Sequence, residues 1–181
     1  MKHLNELIAD LTRRLGRYGY QPVTWKVGRD IPLTALAATP HSRPPRLFCA
    51  VANLPPEASD PAEAAAFLQR IRRALAKEHA GFPWPRRMGT YAVLLAGGGT
   101  GEALRGRAGI WADTSALHVN VLLGAVVIDT ETWQVSSDSV HGIIETADQF
   151  PQIQAAAEQW CRDQRQRRGS YVSLGQALSV A

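Results

Sequence analysis

Read from its sequence, the chain is an α+β domain built on a mixed or antiparallel sheet of about five to six strands with three main helices, in the order α-βββ-α-β-ββ-α. Three stretches carry that expectation. Leu117 to Trp133, LHVNVLLGAVVIDTETW, holds the densest run of branched apolar residues. Asp60-Pro61-Ala62-Glu63 has the composition of a helix start, and Leu4, Leu7, Ile8, Leu11 and Leu15 recur at helical spacing.

The leucines form one stripe of an amphipathic helix ending near Gly16 to Gly19, since residues three and four apart share a helix face. Arg13, Arg14 and Arg17 lie off that stripe, where cations complement the helix dipole or meet a phosphate. Three strands are expected next: Pro22 to Val27, Ile31 to Thr39, and Arg46 to Ala52. Between the last two, Pro40-His41-Ser42-Arg43-Pro44-Pro45 is too rich in proline for regular structure. At the second helix Asp60 caps the free amides, Pro61 has the φ of a first helical residue, and Glu63 completes a capping-box arrangement. Ala64, Phe67, Leu68, Ile71 and Leu75 are its buried stripe; Arg70, Arg72, Arg73 and Lys77 point mostly elsewhere, and Gly81 ends it.

Phe82-Pro83-Trp84-Pro85-Arg86-Arg87 reads as a stiff loop, Thr90 to Ala96 as a strand, and Gly97 to Gly109 as a flexible connection. Along the central run the odd positions Leu117, Val119, Val121, Leu123, Ala125 and Val127 are all apolar, while the even positions begin polar at His118 and Asn120 and turn apolar at Leu122. A period of two with one continuous apolar face is a strand on a core. Gly124 marks a bulge or a close backbone approach. Asp129-Thr130-Glu131-Thr132 supplies a turn and Trp133-Gln134-Val135-Ser136 returns antiparallel, making a central hairpin. Phe150, Ile153, Ala156, Ala157 and Trp160 then give a last helix running to about Arg168. Residues 1–169 are expected as one domain with helices on one face of the sheet, and 170–181 as a loosely docked tail.

With 45% hydrophobic and 20% charged residues, such a chain buries a core without metals or disulfides. The 20 Lys and Arg against 16 Asp and Glu leave a formal charge of +4, which permits contact with nucleic acid without demanding it. Cys49 and Cys161 sit far apart in apolar or helical contexts, the pattern of reduced, buried thiols and a cytoplasmic setting. The opening MKHLNELIADL carries acids where a signal peptide needs an uninterrupted apolar segment. The longest apolar run, Leu117 to Ile128, is too short to span a bilayer, so no membrane partner is expected.

No cofactor is expected either. Gly97-Gly98-Gly99-Thr100-Gly101 lacks the lysine of a P-loop and the third glycine of the dinucleotide fingerprint, leaving anion binding through backbone amides as its functional reading. The histidines His3, His41, His79, His118 and His141 show no paired spacing, and with two isolated cysteines they form no zinc pattern. Cys49 lies inside the apolar FCAVA, a setting that raises a thiol pKa and argues against a Cys-His nucleophile.

One motif points to chemistry. Val126-Val127-Ile128-Asp129-Thr130-Glu131-Thr132 resembles the first motif of the DnaQ-like 3′–5′ exonucleases, in which a strand ends in Asp-x-Glu and the two carboxylates hold catalytic divalent metal. The resemblance implies Asp129 and Glu131 as catalytic acids, and in extended backbone the two project to the same side. It covers seven residues, Val126 to Thr132. The downstream candidates for the family's later motifs are Asp138, Asp148, Asp163 and His141, none in the family's sequence context. A hairpin turn rich in Asp, Thr and Glu accounts for the same letters.

Three functional readings follow. The first is a non-enzymatic module that pairs with itself or another protein, motivated by the lack of a complete active site and by exposed-looking aromatics such as Trp84 and Trp133. The second is a nucleic-acid binder using Arg70, Arg73 and Lys77 of the second helix and Arg165, Arg167 and Arg168 of the last. The third is a metal-dependent nuclease or phosphoesterase on Asp129 and Glu131.

Overall fold

A computed structural model describes residues 2–23, 33–38, 46–58, 60–79, 88–97, 100, 120–139 and 149–178. Its elements are α1 (Lys2–Leu15), followed by a 3-10 turn (Gly16–Tyr18), then β1 (Tyr20–Val23), β2 (Leu33–Ala38), β3 (Arg46–Asn53), α2 (Pro61–His79), β4 (Met88–Ala96), β5 (Asn120–Asp129), β6 (Val135–Ser139) and α3 (Phe150–Leu178). The described strands form one six-stranded sheet in the order β1-β2-β3-β4-β5-β6. This is the α+β class, mixed sheet and element order that the sequence predicts.

The sheet is a meander at both ends with a parallel centre. β1 to β3 pair antiparallel and β5 pairs antiparallel with β6, while β3, β4 and β5 run parallel. A parallel pair needs a crossover, and α2 is the crossover between β3 and β4. β3-α2-β4 is therefore a β-α-β unit within the mixed sheet. Pro22 sits in the edge strand β1, where a missing N–H is tolerated.

Helices cover both faces of the sheet, not one as the element order suggests. Leu47, Cys49 and Val51 of β3 and Tyr91, Val93 and Leu95 of β4 pack with α1 and α3, whereas Phe48, Ala50 and Ala52 and Ala92, Leu94 and Ala96 pack with α2. All nine residues of β4 are buried, so this strand has no polar face. The helical stripes are the predicted ones: Leu4, Leu7, Leu11 and Leu15 of α1, Ala64, Phe67, Leu68, Ile71 and Leu75 of α2, and Phe150, Ile153, Ala156, Ala157 and Trp160 of α3 are buried, and Ile8 of α1 is partly so. Arg72 departs from expectation, being buried at 6% exposure among its exposed neighbours.

The central strand does not keep one face. Register runs from Thr90↔Leu122 to Tyr91↔Gly124, so Leu123 is an extra residue and a β-bulge. Before it, Val121 and Leu123 face α1 and α3; after it, Val126 and Ile128 do, and Ala125 and Val127 turn to α2. A single inserted residue thus reverses the parity read from the sequence. Gly124 is also the site of a close approach: a Cβ there would lie 2.6 Å from two ring carbons of Phe150.

The hairpin forms, with Trp133 in the turn instead of on the returning strand. The Asp129 N–H donates to the Gln134 carbonyl at 2.9 Å and the Trp133 N–H to the Asp129 carbonyl at 2.8 Å. Trp133 takes a left-handed φ of 55°, and its ring is 2% exposed, edge-on to Trp160 at 5.3 Å and to His3 at 5.1 Å. The tryptophan that looks exposed in the sequence is a core residue. At the other end of the chain, α3 continues to Leu178, beyond the predicted end near Arg168 and through most of the expected tail. How residues 170–181 dock lies outside the described side chains, and the predicted strand residues 24–27, 31–32, 39 and 117–119 lie outside the described residues, as does Trp84.

Candidate functional site

Asp129 ends β5 and is buried at 4% exposure. Its Oδ1 accepts the backbone N–H groups of Glu131 at 2.8 Å and Thr132 at 3.1 Å. Those bonds close the turn, which is the structural role that Asp takes at such positions. Glu131 lies in that turn and is exposed, so the pair does not sit on extended backbone with a common side. Thr130 ties the turn to the neighbouring strand, its N–H and its hydroxyl both donating to the Ala96 carbonyl, at 2.8 and 3.0 Å. The end of β4 and Gly97, where the glycine run begins, therefore abut this turn, with Gly98, Gly99 and 101–109 outside the described residues. Among the described residues no group of three or more His, Cys, Asp or Glu is placed to hold a metal ion.

The cations predicted to bind nucleic acid fall into two sets on opposite faces of the sheet. Arg70, Arg73 and Lys77 are exposed on α2. Arg70 lies over the Phe67 ring at 5.4 Å and lines a hollow of about 730 Å³ that also contains Glu57 and Glu63, whose charge opposes it. Arg165, Arg167 and Arg168 are exposed on α3, across the sheet. Arg168 is engaged in the fold: its guanidinium donates to the Glu131 carbonyl at 3.1 Å and lies 5.4 Å over the Trp133 ring.

What the structure does bring together is a third set. The C-terminal end of α1, the 3-10 turn after it and the first half of α3 border a groove of about 590 Å³ lined by Arg13, Arg14, Arg17, Tyr18, Gln152, Gln159 and Arg162, among others. Burial of the leucine stripe turns the arginines of α1 outward, and burial of Trp160 and Cys161 does the same for Arg162. Arg13 and Arg14 both pair with Asp10, and Arg14 reaches Asp163 of α3 at 3.4 Å, which pins the two helices across the seam. Among the described residues Arg17 and Arg162 meet no carboxylate. Arg17 lies over the Tyr18 ring at 4.9 Å, and Arg162 donates to the Gln159 side chain at 2.8 and 3.1 Å. Two bound and two unneutralised guanidinium groups around one concavity favour an anion, and their planar forks match a phosphate or carboxylate.

Sequence position marks Arg13, Arg14 and Arg17 as a phosphate contact or a helix-dipole complement, and nothing in it joins them to Arg162. Tyr18 is missed. An aromatic just past the last leucine of the stripe, flanked by Arg17 and by Gly19 with its left-handed φ of 84°, is the signal that marks it.

The thiols are not part of any such site. Both are free and buried, and burial pushes each up to about 12, with Arg165 pulling the other way at Cys161. At neutral pH both are thiols, hence poor nucleophiles. Among the described residues no helix is long and apolar enough to cross a membrane. Compared with known proteins, the chain matches no family model, no curated protein and no solved structure.

Proposed function

We propose that this chain is a non-enzymatic binding module whose partner is nucleic acid, held by its phosphates in the groove between α1 and α3. The observation that carries the reading is the convergence of Arg13, Arg14, Arg17 and Arg162 on one concavity from two helices far apart in sequence. The carboxylates Asp10 and Asp163 hold Arg14 in place, so less side-chain freedom is lost when a phosphate arrives. Arg17 and Arg162 then supply uncommitted charge, and each phosphate they neutralise releases counterions. A cytoplasmic setting belongs to this reading, supported by two free, buried thiols that suit a reducing compartment.

Pairing with itself or with another protein is the reading that failure would restore, although the burial of Trp133 removes one of its motives. The Asp129–Glu131 nuclease is the third. The test is to incubate the protein with labelled single- and double-stranded oligonucleotides, in EDTA or with magnesium and manganese, and to read both mobility shift and cleavage. A shift that weakens steeply with salt and occurs equally in EDTA is expected. Absence of any shift would return the search to protein partners. Metal-dependent cutting abolished by Asp129→Asn would establish the nuclease reading instead.

A further inference from the structure

We infer that the ligand of this groove is a single strand, with an unpaired base stacked on Tyr18 and the backbone continuing over α3 from Arg162 to Arg165; the inference rests on the nucleic-acid reading above. Tyr18 is the one large hydrophobic side chain left exposed among those whose burial is described, at 37%, and it stands in the arginine groove. The other aromatics whose burial is described are all in the core, Trp133 and Trp160 included, so among these side chains an exposed ring amid cations is particular to Tyr18. A duplex keeps its base faces covered by their neighbours and has nothing to lay on such a ring. An unpaired base does, and stacking of bases on aromatics within a cationic channel is how single strands are held without regard to sequence. Arg17, over the ring at 4.9 Å, orients the tyrosine and places a guanidinium where the adjoining phosphate passes.

The groove alone has the volume of a small-ligand site. A second hollow of about 470 Å³ argues for something longer. It is lined by Gln134, Val135, Glu158, Arg162 and Arg165, so Arg162 borders both concavities and joins them across the ridge of α3. Glu158 is the opposing charge there, and its carboxylate accepts a hydrogen bond from the Gln154 amide at 2.9 Å. Two arginines against that one carboxylate leave the path cationic, and a chain of phosphates can use both hollows where a lone nucleotide can use only the first.

The test is fluorescence anisotropy with a labelled oligothymidylate of about 12 nucleotides, within the usual span of single-strand sites, and a duplex of equal length. Tyr18→Ala is expected to weaken single-strand binding by roughly 5- to 150-fold while leaving duplex binding unchanged. Tyr18→Phe keeps the ring and restores the affinity, and Arg165→Gln weakens the oligomer without changing competition by thymidine monophosphate. A duplex bound as tightly as the strand, or a Tyr18→Ala variant with unaltered affinity, would overturn the inference while leaving the arginine groove as a nucleic-acid site. Failure of the wild-type protein to bind either oligonucleotide would overturn both.

Discussion

Among the described residues one helix, α2, covers one face of the sheet, whereas α1 and α3 share the other. On the α2 face alanine fills half of the buried sheet positions, Ala50, Ala52, Ala92, Ala96 and Ala125, and the helix fills the layer with Phe67, Leu68, Ile71 and Leu75. Opposite, the sheet presents larger side chains and needs two helices to cover them, with Trp133 and Trp160 packed at the margin. A single cylinder on a sheet has no seam; two have one. Cations on α2 therefore spread along an outer side, one of them beside Glu57 and Glu63, while arginines of α1 and α3 line the seam together. Charge of the same sign and similar abundance becomes a site only where two elements converge.

The largest effects that sharpen this contrast are on stability. Trp160→Ala should cost about 3–5 kcal/mol and Ile71→Ala about 2–5 kcal/mol, measured by urea unfolding. Both layers share β3 to β5, so each variant should lower the midpoint of one cooperative transition. Two separate transitions would mean that the faces unfold independently and would undo the account of a common sheet.

Next come two positions around the bulge and the turn. Gly124→Ala should lose about 1–3 kcal/mol, because the Phe150 ring and the Asp138 carbonyl at 3.1 Å leave no room for a methyl group. Gly97→Ala, whose new methyl would stand 3.5 Å from the Thr130 hydroxyl, should be much milder. Asp129→Ala should cost about 1–3 kcal/mol by stranding two turn amides, and Asp129→Asn less, since an amide oxygen still accepts. Thermal melts of the pair separate a turn role from a catalytic one, for which both variants would be equally silent in stability.

A smaller effect is set by pH. Cys49 is completely buried and its thiol is pushed up to about 12 from an ordinary value of 9.0. The unfolded chain then loses this proton first. Its contribution to stability is fully present below about pH 9 and falls away between there and about pH 12. Cys49→Ala should flatten that alkaline decline in a pH series of urea midpoints; an unchanged slope would assign the decline to other groups. Smallest of all, Arg70→Gln with Arg73→Gln should leave oligonucleotide affinity within experimental error.

Much of this architecture is readable along the chain, and the rest fails for identifiable reasons. Asp60 caps α2 as its sequence context requires, its Oδ1 accepting the amides of Ala62 at 2.7 Å and Glu63 at 2.9 Å. Each helix buries the stripe that its spacing marks. Periodicity tells which side of an element is apolar but not what covers it, so the second face of the sheet escapes notice: β4 is buried all round and its alternation carries no information. The bulge at Leu123 is hinted at by Gly124, yet its effect on parity is a matter of pairing with β4. Trp133 reads as a strand residue because a left-handed φ leaves no mark on a non-glycine letter. For the groove, Arg14 and Asp163 are 149 positions apart, and only packing of α1 on α3 makes them neighbours.

The most direct test of the central claim is the salt dependence of single-strand affinity in two paired variants. Arg17→Gln with Arg162→Gln is expected to make the slope of log affinity against log salt shallower by about 1.4, the release expected for two phosphate contacts on a single strand, while Arg70→Gln with Arg73→Gln leaves it unchanged. An unaltered slope in the first pair, or a loss confined to the second, would contradict the assignment of the site to the α1–α3 seam.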